Sequence, residues 1–341
     1  MDNKRDVLLH VEDLEVSFPV RSDNLFIKEK RVVKAVNHIS LDIYKGETLG
    51  LVGESGCGKT TLGKSILRLI SAAGGKIIYQ FEDGEKDLLQ LNRKEMDAAR
   101  QKMQIVFQDP QSSLNPSFTV YQTLSAPLKH FGVKDKKKRI EIISGLLEAV
   151  NMPPDAMTRY PSEFSGGQRQ RIGIARALSV NPEVIICDEA VSALDVSIQV
   201  QVLHLLRQLK EERGLTYLFI THNLSVVEYV SDRVAVMYMG RIVELAATDE
   251  LFRRTGHPYT MALLSAIPVA DVDHKKERIV LEGDVPSPMD LPSGCSFHSR
   301  CRYCQKRCRE EVPALRRFEA DGVEHHVACH FAENFLFPQN V

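Results

Sequence analysis

The stretch Glu47–Ile70, ETLGLVGESGCGKTTLGKSILRLI, decides the fold. It opens as a short apolar strand. Gly53–Thr60, GESGCGKT, then fits the phosphate-loop pattern G-x-x-x-x-G-K-[ST] without a mismatch. A helix follows, with Leu62, Ile66, Leu69 and Ile70 spaced along one face. Glycines let such a loop wrap so that backbone N–H groups point inward at an anion, and the helix start offers its positive end to the same anion. Lys59 is placed to reach the β- and γ-phosphates of a nucleotide, and the Thr60 hydroxyl to hold Mg²⁺. Gly53, Glu54, Ser55, Gly56, Cys57, Gly58 and Thr61 complete the expected contacts with ATP. The eight-residue pattern can arise by chance, but here it stands in its required strand–loop–helix context.

Outward from this loop the chain keeps a strand–helix–strand rhythm. Pro182–Glu189, PEVIICDE, and Leu215–Asn223, LTYLFITHN, are apolar runs separated by the helical pattern SIQVQVLHLLRQLKEERG. That alternation implies an α/β fold with a parallel sheet. Asp188 would emerge at the carboxyl edge of its strand, where parallel sheets bind ligands, and there orient Mg²⁺ or its waters. Glu189, one residue on, is suited to polarise an attacking water. Two surface acids ending a strand would be unremarkable alone; paired with an upstream phosphate loop they form a site. Leu8–Phe18 and Val32–Ile43 read as strands, Arg233–Leu245 as strands, and residues 109–180 as mostly helical, with Ile143, Leu146, Leu147 and Val150 on one face. From about residue 268, proline and charge mark a linker into a small appendix.

The 341-residue chain has a formal net charge of -1, so no global attraction to nucleic acid or an acidic membrane is implied. The basic run Lys134–Arg139 reads as a solvated helix entry. No signal-peptide pattern and no apolar run of membrane-spanning length occurs, which predicts a cytosolic chain. There, thiols stay reduced and clustered cysteines become candidate metal ligands. Five of the seven cysteines fall in the tail: Cys295, Cys301, Cys304, Cys308 and Cys329. Cys187 reads as core packing. Cys57 reads as structural too, although the adjacent helix start is a feature that lowers a thiol pKa and would make it reactive.

Ser162–Leu178, SEFSGGQRQRIGIARAL, is more specific still. Physically it is a Gly-rich turn at a helix N-terminus. Its Ser165-Gly166-Gly167-Gln168 resembles the signature of ATP-binding cassette (ABC) ATPases. The resemblance implies a P-loop NTPase of the ABC nucleotide-binding type, a RecA-like core plus a helical subdomain (about 109–180), over residues 1–267. A linker and cysteine-rich extension would fill 268–341. In that family the signature faces the γ-phosphate held by the other subunit of a head-to-tail pair. Gln108 in VFQDP matches the Q-loop glutamine, which senses the metal and the attacking water. Ser192–Asp195, SALD, matches the D-loop, and His222 the switch histidine at the γ-phosphate. Glu189 would be the general base. Phe18 is the candidate for stacking on adenine, against the alternative that it is a core strand residue.

His257–Pro268, HPYTMALLSAIP, and Leu281–Pro288, LEGDVPSP, narrow the resemblance to the ATP-binding subunits of oligopeptide and dipeptide importers. SFPV and SLNP resemble the F-type subunit. The implied partners are a D-type ATPase subunit, two transmembrane permease subunits and an extracytoplasmic peptide-binding protein, with no nucleic acid; the implied place is the cytoplasmic face of the cell membrane. Matched residue by residue, Cys295, Cys301, Cys308 and Cys329 would hold a [4Fe–4S] cluster, with tetrahedral Zn²⁺ as the alternative and Cys304 spare. His298, His325, His326 and His330 lie near enough to compete as ligands. Two positions depart from the family: Ala190 stands where proline is usual after the glutamate, leaving Glu189 looser, and Asn223 where aspartate is usual after the histidine. The other readings are an importer of nickel or another small solute, and an ABC ATPase outside transport.

Overall fold

The computed structural model describes residues 6–19, 32–109, 113–267, 278–283, 286–287, 289–320 and 323–337. Residues 268–277, where the linker was expected to begin, lie outside these. Among the described residues the strands are β1 Val7–Pro19, β2 Val32–Tyr44, β3 Thr48–Val52, β4 Gly74–Phe81, β5 Gly84–Asp87, β6 Met103–Val106, β7 Val184–Asp188, β8 Thr216–Ile220, β9 Arg233–Tyr238, β10 Arg241–Ala247, β11 Arg316–Ala320 and β12 Val323–Val327. The chain divides into two units. One comprises residues 1–8, 43–48 and 90–220; the other comprises 9–42, 49–89 and 221–341.

In the first unit β6, β7 and β8 are parallel neighbours, with Val106 opposite Cys187 and Asp188 opposite Ile220. Every residue of β7 and β8 is buried. That is why both read as unbroken apolar runs rather than alternating ones. The helices Val120–His130, Lys136–Ala149 and Gly166–Leu178 occupy the stretch read as helical. Asp135 caps the second, its Oδ1 accepting the Lys138 N–H at 2.9 Å, so the basic run is indeed a helix entry. Ile143, Leu146, Leu147 and Val150 are all buried, as their spacing requires.

In the second unit β1 lies between β2 and β4, with β5 beyond. A further sheet runs β3, β9, β10, β12, β11: β3 is parallel to β9, and the remaining pairs are antiparallel. Met239 and Gly240 both take positive φ, 46° and 77°, making the tight turn between β9 and β10. The helix after the phosphate loop ends at Ile66, short of the expected Ile70. Arg68 turns left-handed, donates to Ser65 O, and lets Leu69 N–H reach back to Lys64 O. This Schellman closure ends the apolar face and leaves Leu69 exposed.

The β11–β12 hairpin is absent from the sequence reading. Its strand β12 pairs with β10, Glu244 opposite Val327 and Ala246 opposite His325. The tail thereby covers the edge of β10, a row of backbone groups that would otherwise template pairing with another chain. The core beneath joins Val234, Val236, Tyr238, Leu251 and Tyr259 with Phe297 from the tail.

Candidate nucleotide site and thiol cavity

Gly53 starts the phosphate loop at φ 153°, and a Cβ there would sit 2.1 Å from Met237 O. No side chain fits. The loop is held from outside by two bonds: Glu54 N–H donates to Tyr259 Oη at 2.8 Å, and Gly240 N–H to Cys57 O at 3.0 Å. Lys59 is buried, and its Nζ donates to Gly53 O at 2.7 Å and Glu54 O at 2.9 Å. The ammonium is thus drawn into the loop's concave side, paired with carbonyls rather than with a carboxylate. Ser55, Gly56, Cys57, Gly58, Thr60 and Thr61 follow as expected, with Gly58 at φ 107° entering the helix. Cys57 is buried, in keeping with its structural reading. Burial pushes its thiol up and outweighs Lys59, whose Nζ lies 3.8 Å from the sulfur. The helix start does not make it a reactive thiolate.

In the other unit, Asp188 is buried at the carboxyl end of β7. Glu189 turns left-handed at φ 49°, a conformation that costs a non-glycine residue on the order of 1–3 kcal/mol. Its backbone is pinned: N–H to Ile220 O at 2.9 Å, and its carbonyl accepting Ser192 N–H at 3.1 Å and Ser192 Oγ at 2.9 Å. Ala190 is fully buried beside it. These bonds supply the fixation that proline was expected to provide. Gln108 Nε2 donates to Glu189 Oε2 at 2.8 Å, joining two residues far apart in sequence. The amide fixes the direction of the carboxylate, and the backbone bonds fix where it starts.

Ser165 caps the helix Gly166–Leu178 through a reciprocal box, Gln168 N–H to Ser165 Oγ and Ser165 N–H to Gln168 Oε1 at 2.9 Å. A Cβ on Gly167 would meet Ile198 Cγ2 at 2.3 Å, so this position is fixed by close helix packing as well. Asp195 is exposed at the start of Val196–Arg213. His222 is exposed after β8. Asn223, where aspartate was usual, caps the helix Leu224–Val230 by accepting the Ser225 N–H at 3.0 Å. Phe18 is partly exposed on β1. Gln108, Asp188, Glu189, the signature and Asp195 lie in the first unit; Phe18, Gly53–Thr61 and His222 lie in the second.

The ABC transporter family model matches residues 36–192, and the model of the oligopeptide/dipeptide transporter C-terminal region matches 243–308. The chain is 49% identical over 325 residues to a probable peptide ABC transporter ATP-binding protein of Sinorhizobium fredii, covering 95% of this chain and 90% of that one. It is 47% identical over 328 residues to the oligopeptide transport ATP-binding protein AppF of Bacillus subtilis, covering 96% and 98%. The chain belongs to the ATP-binding proteins of oligopeptide/dipeptide ABC transporters. Among solved structures, cbiO1 of Clostridium perfringens superposes with a TM-score of 0.60 at 24% identity over 73% of this chain and 91% of that one, a likeness of fold. No helix among the described residues of this ABC ATPase is long and apolar enough to cross a membrane.

The tail of this ABC ATPase gathers its thiols. Cys295, Cys301, Cys308 and Cys329 line one cavity together with His257, His298 and His330. Cys304 is not among the lining residues; its Sγ lies 3.6 Å from Gln305 O. Burial and the neighbouring sulfurs push the Cys295 thiol up to about 12 and that of Cys329 to about 11. Against this, the Phe331 N–H donates to Cys329 Sγ at 3.4 Å, and the backbone N–H groups of Phe297 and Tyr303 act to lower the Cys295 and Cys301 thiols. Such donors favour thiolate, the ligand form. All three histidines are engaged, His257 Nδ1 with the Tyr259 N–H, His298 Nδ1 with Cys295 O and His330 Nε2 with Glu311 O. His325 instead bonds Glu244, and neither it nor His326 lines the cavity. Among the described residues, no three of these sulfurs come within 4.8 Å of one another.

Sequence reading missed the outer ring of the loop: Tyr238, Tyr259, Phe297 and Arg300. Tyr238 lies in β9, Tyr259 follows a proline, and the last two sit in the tail. Nothing in their local pattern ties them to residue 54.

Proposed function

We propose that this chain is the ATP-hydrolysing motor subunit of a peptide importer, closing with a partner ATPase on ATP binding and reopening after hydrolysis. The observation that carries the hydrolytic reading is the Gln108–Glu189 hydrogen bond at 2.8 Å. ATP is held by Gly53–Thr61, with Lys59 on the β- and γ-phosphates and Phe18 against adenine. Mg²⁺, held by Thr60, Gln108 and Asp188, would offset phosphate charge. Glu189 takes the proton of the attacking water, Gln108 orients that water, and His222 contacts the γ-phosphate. Ser165–Gln168 and Asp195 serve the nucleotide across the dimer. Phosphoryl transfer needs chiefly positioning and charge neutralisation, which these groups are suited to supply.

The partners we propose are a D-type ATPase subunit, two permease subunits and an extracytoplasmic peptide-binding protein, with this chain peripheral on the cytoplasmic face. The nucleotide-binding domain would span 1–267, with its helical subdomain at about 109–180, and the cysteine extension 268–341. Peptide as the cargo rests on the relatives' names. The test is to copurify the chain with its membrane subunits and measure ATPase activity with candidate peptides and their binding protein. Stimulation by peptide is expected; stimulation by nickel alone would sink the peptide reading.

The four lining cysteines are proposed to hold a [4Fe–4S] cluster. Four thiolates suit either that cluster or tetrahedral zinc, and the resemblance to the peptide-importer tail is what favours the cluster. Anaerobic purification is expected to give a brown protein with about four irons per chain, and Cys329→Ser to bleach it while Cys304→Ser does not. A colourless protein with one zinc would overturn the assignment.

A further inference from the structure

The cysteine module reaches into the nucleotide loop through one side chain. Arg300 closes the turn His298–Arg300, immediately before Cys301. Its guanidinium forks onto Glu54, Nη1 to Oε2 at 2.9 Å and Nη2 to Oε1 at 3.3 Å. Only 8% of the Arg300 side chain and 26% of the Glu54 side chain are exposed, so water screens this pair weakly. Glu54 is the second residue of the phosphate loop. Its three polar ends are all taken: its carboxylate by Arg300, its N–H by Tyr259 Oη, and its carbonyl by Lys59 Nζ.

The module itself is firmly placed. Phe297 is buried against Tyr238 and Tyr259, with ring centroids 5.3 Å and 5.5 Å apart. Strand β12 is hydrogen-bonded to β10, and His325 bonds the buried Glu244 at 2.7 Å. Arg300 is therefore presented from a fixed platform rather than from a mobile tail.

From this geometry we infer that Arg300 is a positioning residue of the nucleotide site, acting through Glu54. The inference rests on the reading of Gly53–Thr61 as the ATP-binding loop. A bidentate fork fixes a carboxylate in direction as well as distance. It thereby fixes the peptide whose carbonyl receives Lys59, and so the starting position of the phosphate-binding ammonium. It also neutralises an anion inside a loop that must receive a triphosphate. Without Arg300 the loop keeps its glycines and its lysine but presents an uncompensated carboxylate with one support fewer. ATP binding weakens, whereas the chemistry, which belongs to Glu189 and Gln108, is left alone.

The experiment measures MgATP affinity of the full-length chain by calorimetry, and kcat and KM of the assembled complex. Arg300→Ala is expected to weaken MgATP binding about tenfold and raise KM similarly, with kcat at saturating ATP within about twofold. Arg300→Lys, which keeps the charge but loses the fork, should fall between and serves if the alanine variant does not fold. In a Glu54→Ala background, Arg300→Ala should change affinity less than about twofold, because its target is gone. A purely structural clamp would lower the unfolding midpoint without this shift in affinity. Wild-type affinity in Arg300→Ala, or an equal loss with and without Glu54, would overturn the inference. Lys59→Ala separates the two levels: if it too binds MgATP normally, the loop reading has failed; if it does not bind while Arg300→Ala binds as wild type, only the inference has.

Discussion

Glu189→Gln is expected to lower ATP turnover at this subunit's site by at least about a hundredfold while ATP still binds, the range that general-base catalysis supplies. The substitution isolates the proton. Gln108 Nε2 donates to Glu189 Oε2, and a glutamine at 189 still offers a carbonyl oxygen there, so the geometry survives. The backbone bonds to Ile220 and Ser192 do not involve the side chain carboxylate either. What is lost is the ability to accept a proton from water. Single-turnover assays on the assembled complex, with nucleotide binding measured alongside, read the two separately. Unchanged turnover at this site would remove Glu189 from the mechanism. Loss of both binding and turnover would place it in the nucleotide-binding surface instead.

Glu244→Ala is expected to cost about 3 kcal/mol or more of stability, because each buried donor left without a partner costs about 1–3 kcal/mol. Glu244 is fully buried and accepts three bonds: the N–H groups of Gly256 and His257, and His325 Nε2. Alanine leaves two backbone donors and an imidazole without partners where water cannot reach them. The His257 N–H so stranded belongs to the residue whose Nδ1 caps the helix Pro258–Ser265, accepting the Tyr259 N–H at 3.1 Å. Burial holds His257 down to about 3, so it stays a neutral acceptor across the ordinary pH range. Urea unfolding followed by limited proteolysis is the measurement. A lower midpoint with early cleavage between residues 320 and 337 is expected; an unmoved midpoint would contradict the account. Glu244→Gln, which keeps volume and one acceptor, should lose less.

Much of this was legible in sequence because the responsible patterns are local. The phosphate loop needs glycine where φ is positive and Lys59 at a fixed offset, and both requirements fall within eight residues. Strands β7 and β8 announce themselves because burial on both faces confines their polar residues to the ends, Asp188 and Thr216. The partnership of Gln108 and Glu189 was readable only through family resemblance, since the residues meet through strand pairing of β6 with β7. The helix after the loop was overdrawn because Leu69 fits a helical face, and only the left-handed Arg68 says otherwise. The tail was read by its cysteines, and their spacing says nothing of where the module docks. Its hairpin, its aromatic anchor Phe297 and its guanidinium at Glu54 depend on residues far apart in the chain, His325 and Glu244 by 81 positions and Arg300 and Glu54 by 246. No periodicity encodes that.

The pairing of β12 with β10 has a bearing on how this protein is made. The strands β9 and β10 leave the ribosome well before Val323–Val327, so for that interval the newest strand of the sheet has one side open and Glu244 lacks His325. Such an open side invites pairing between nascent chains. Slowing synthesis between residues 247 and 323, or shortening the coding sequence ahead of β12, should therefore show up as aggregation on polysomes rather than as a soluble ATPase missing its tail. Pairing of β12 is then also a step that makes the newly synthesised ATPase safe from such association.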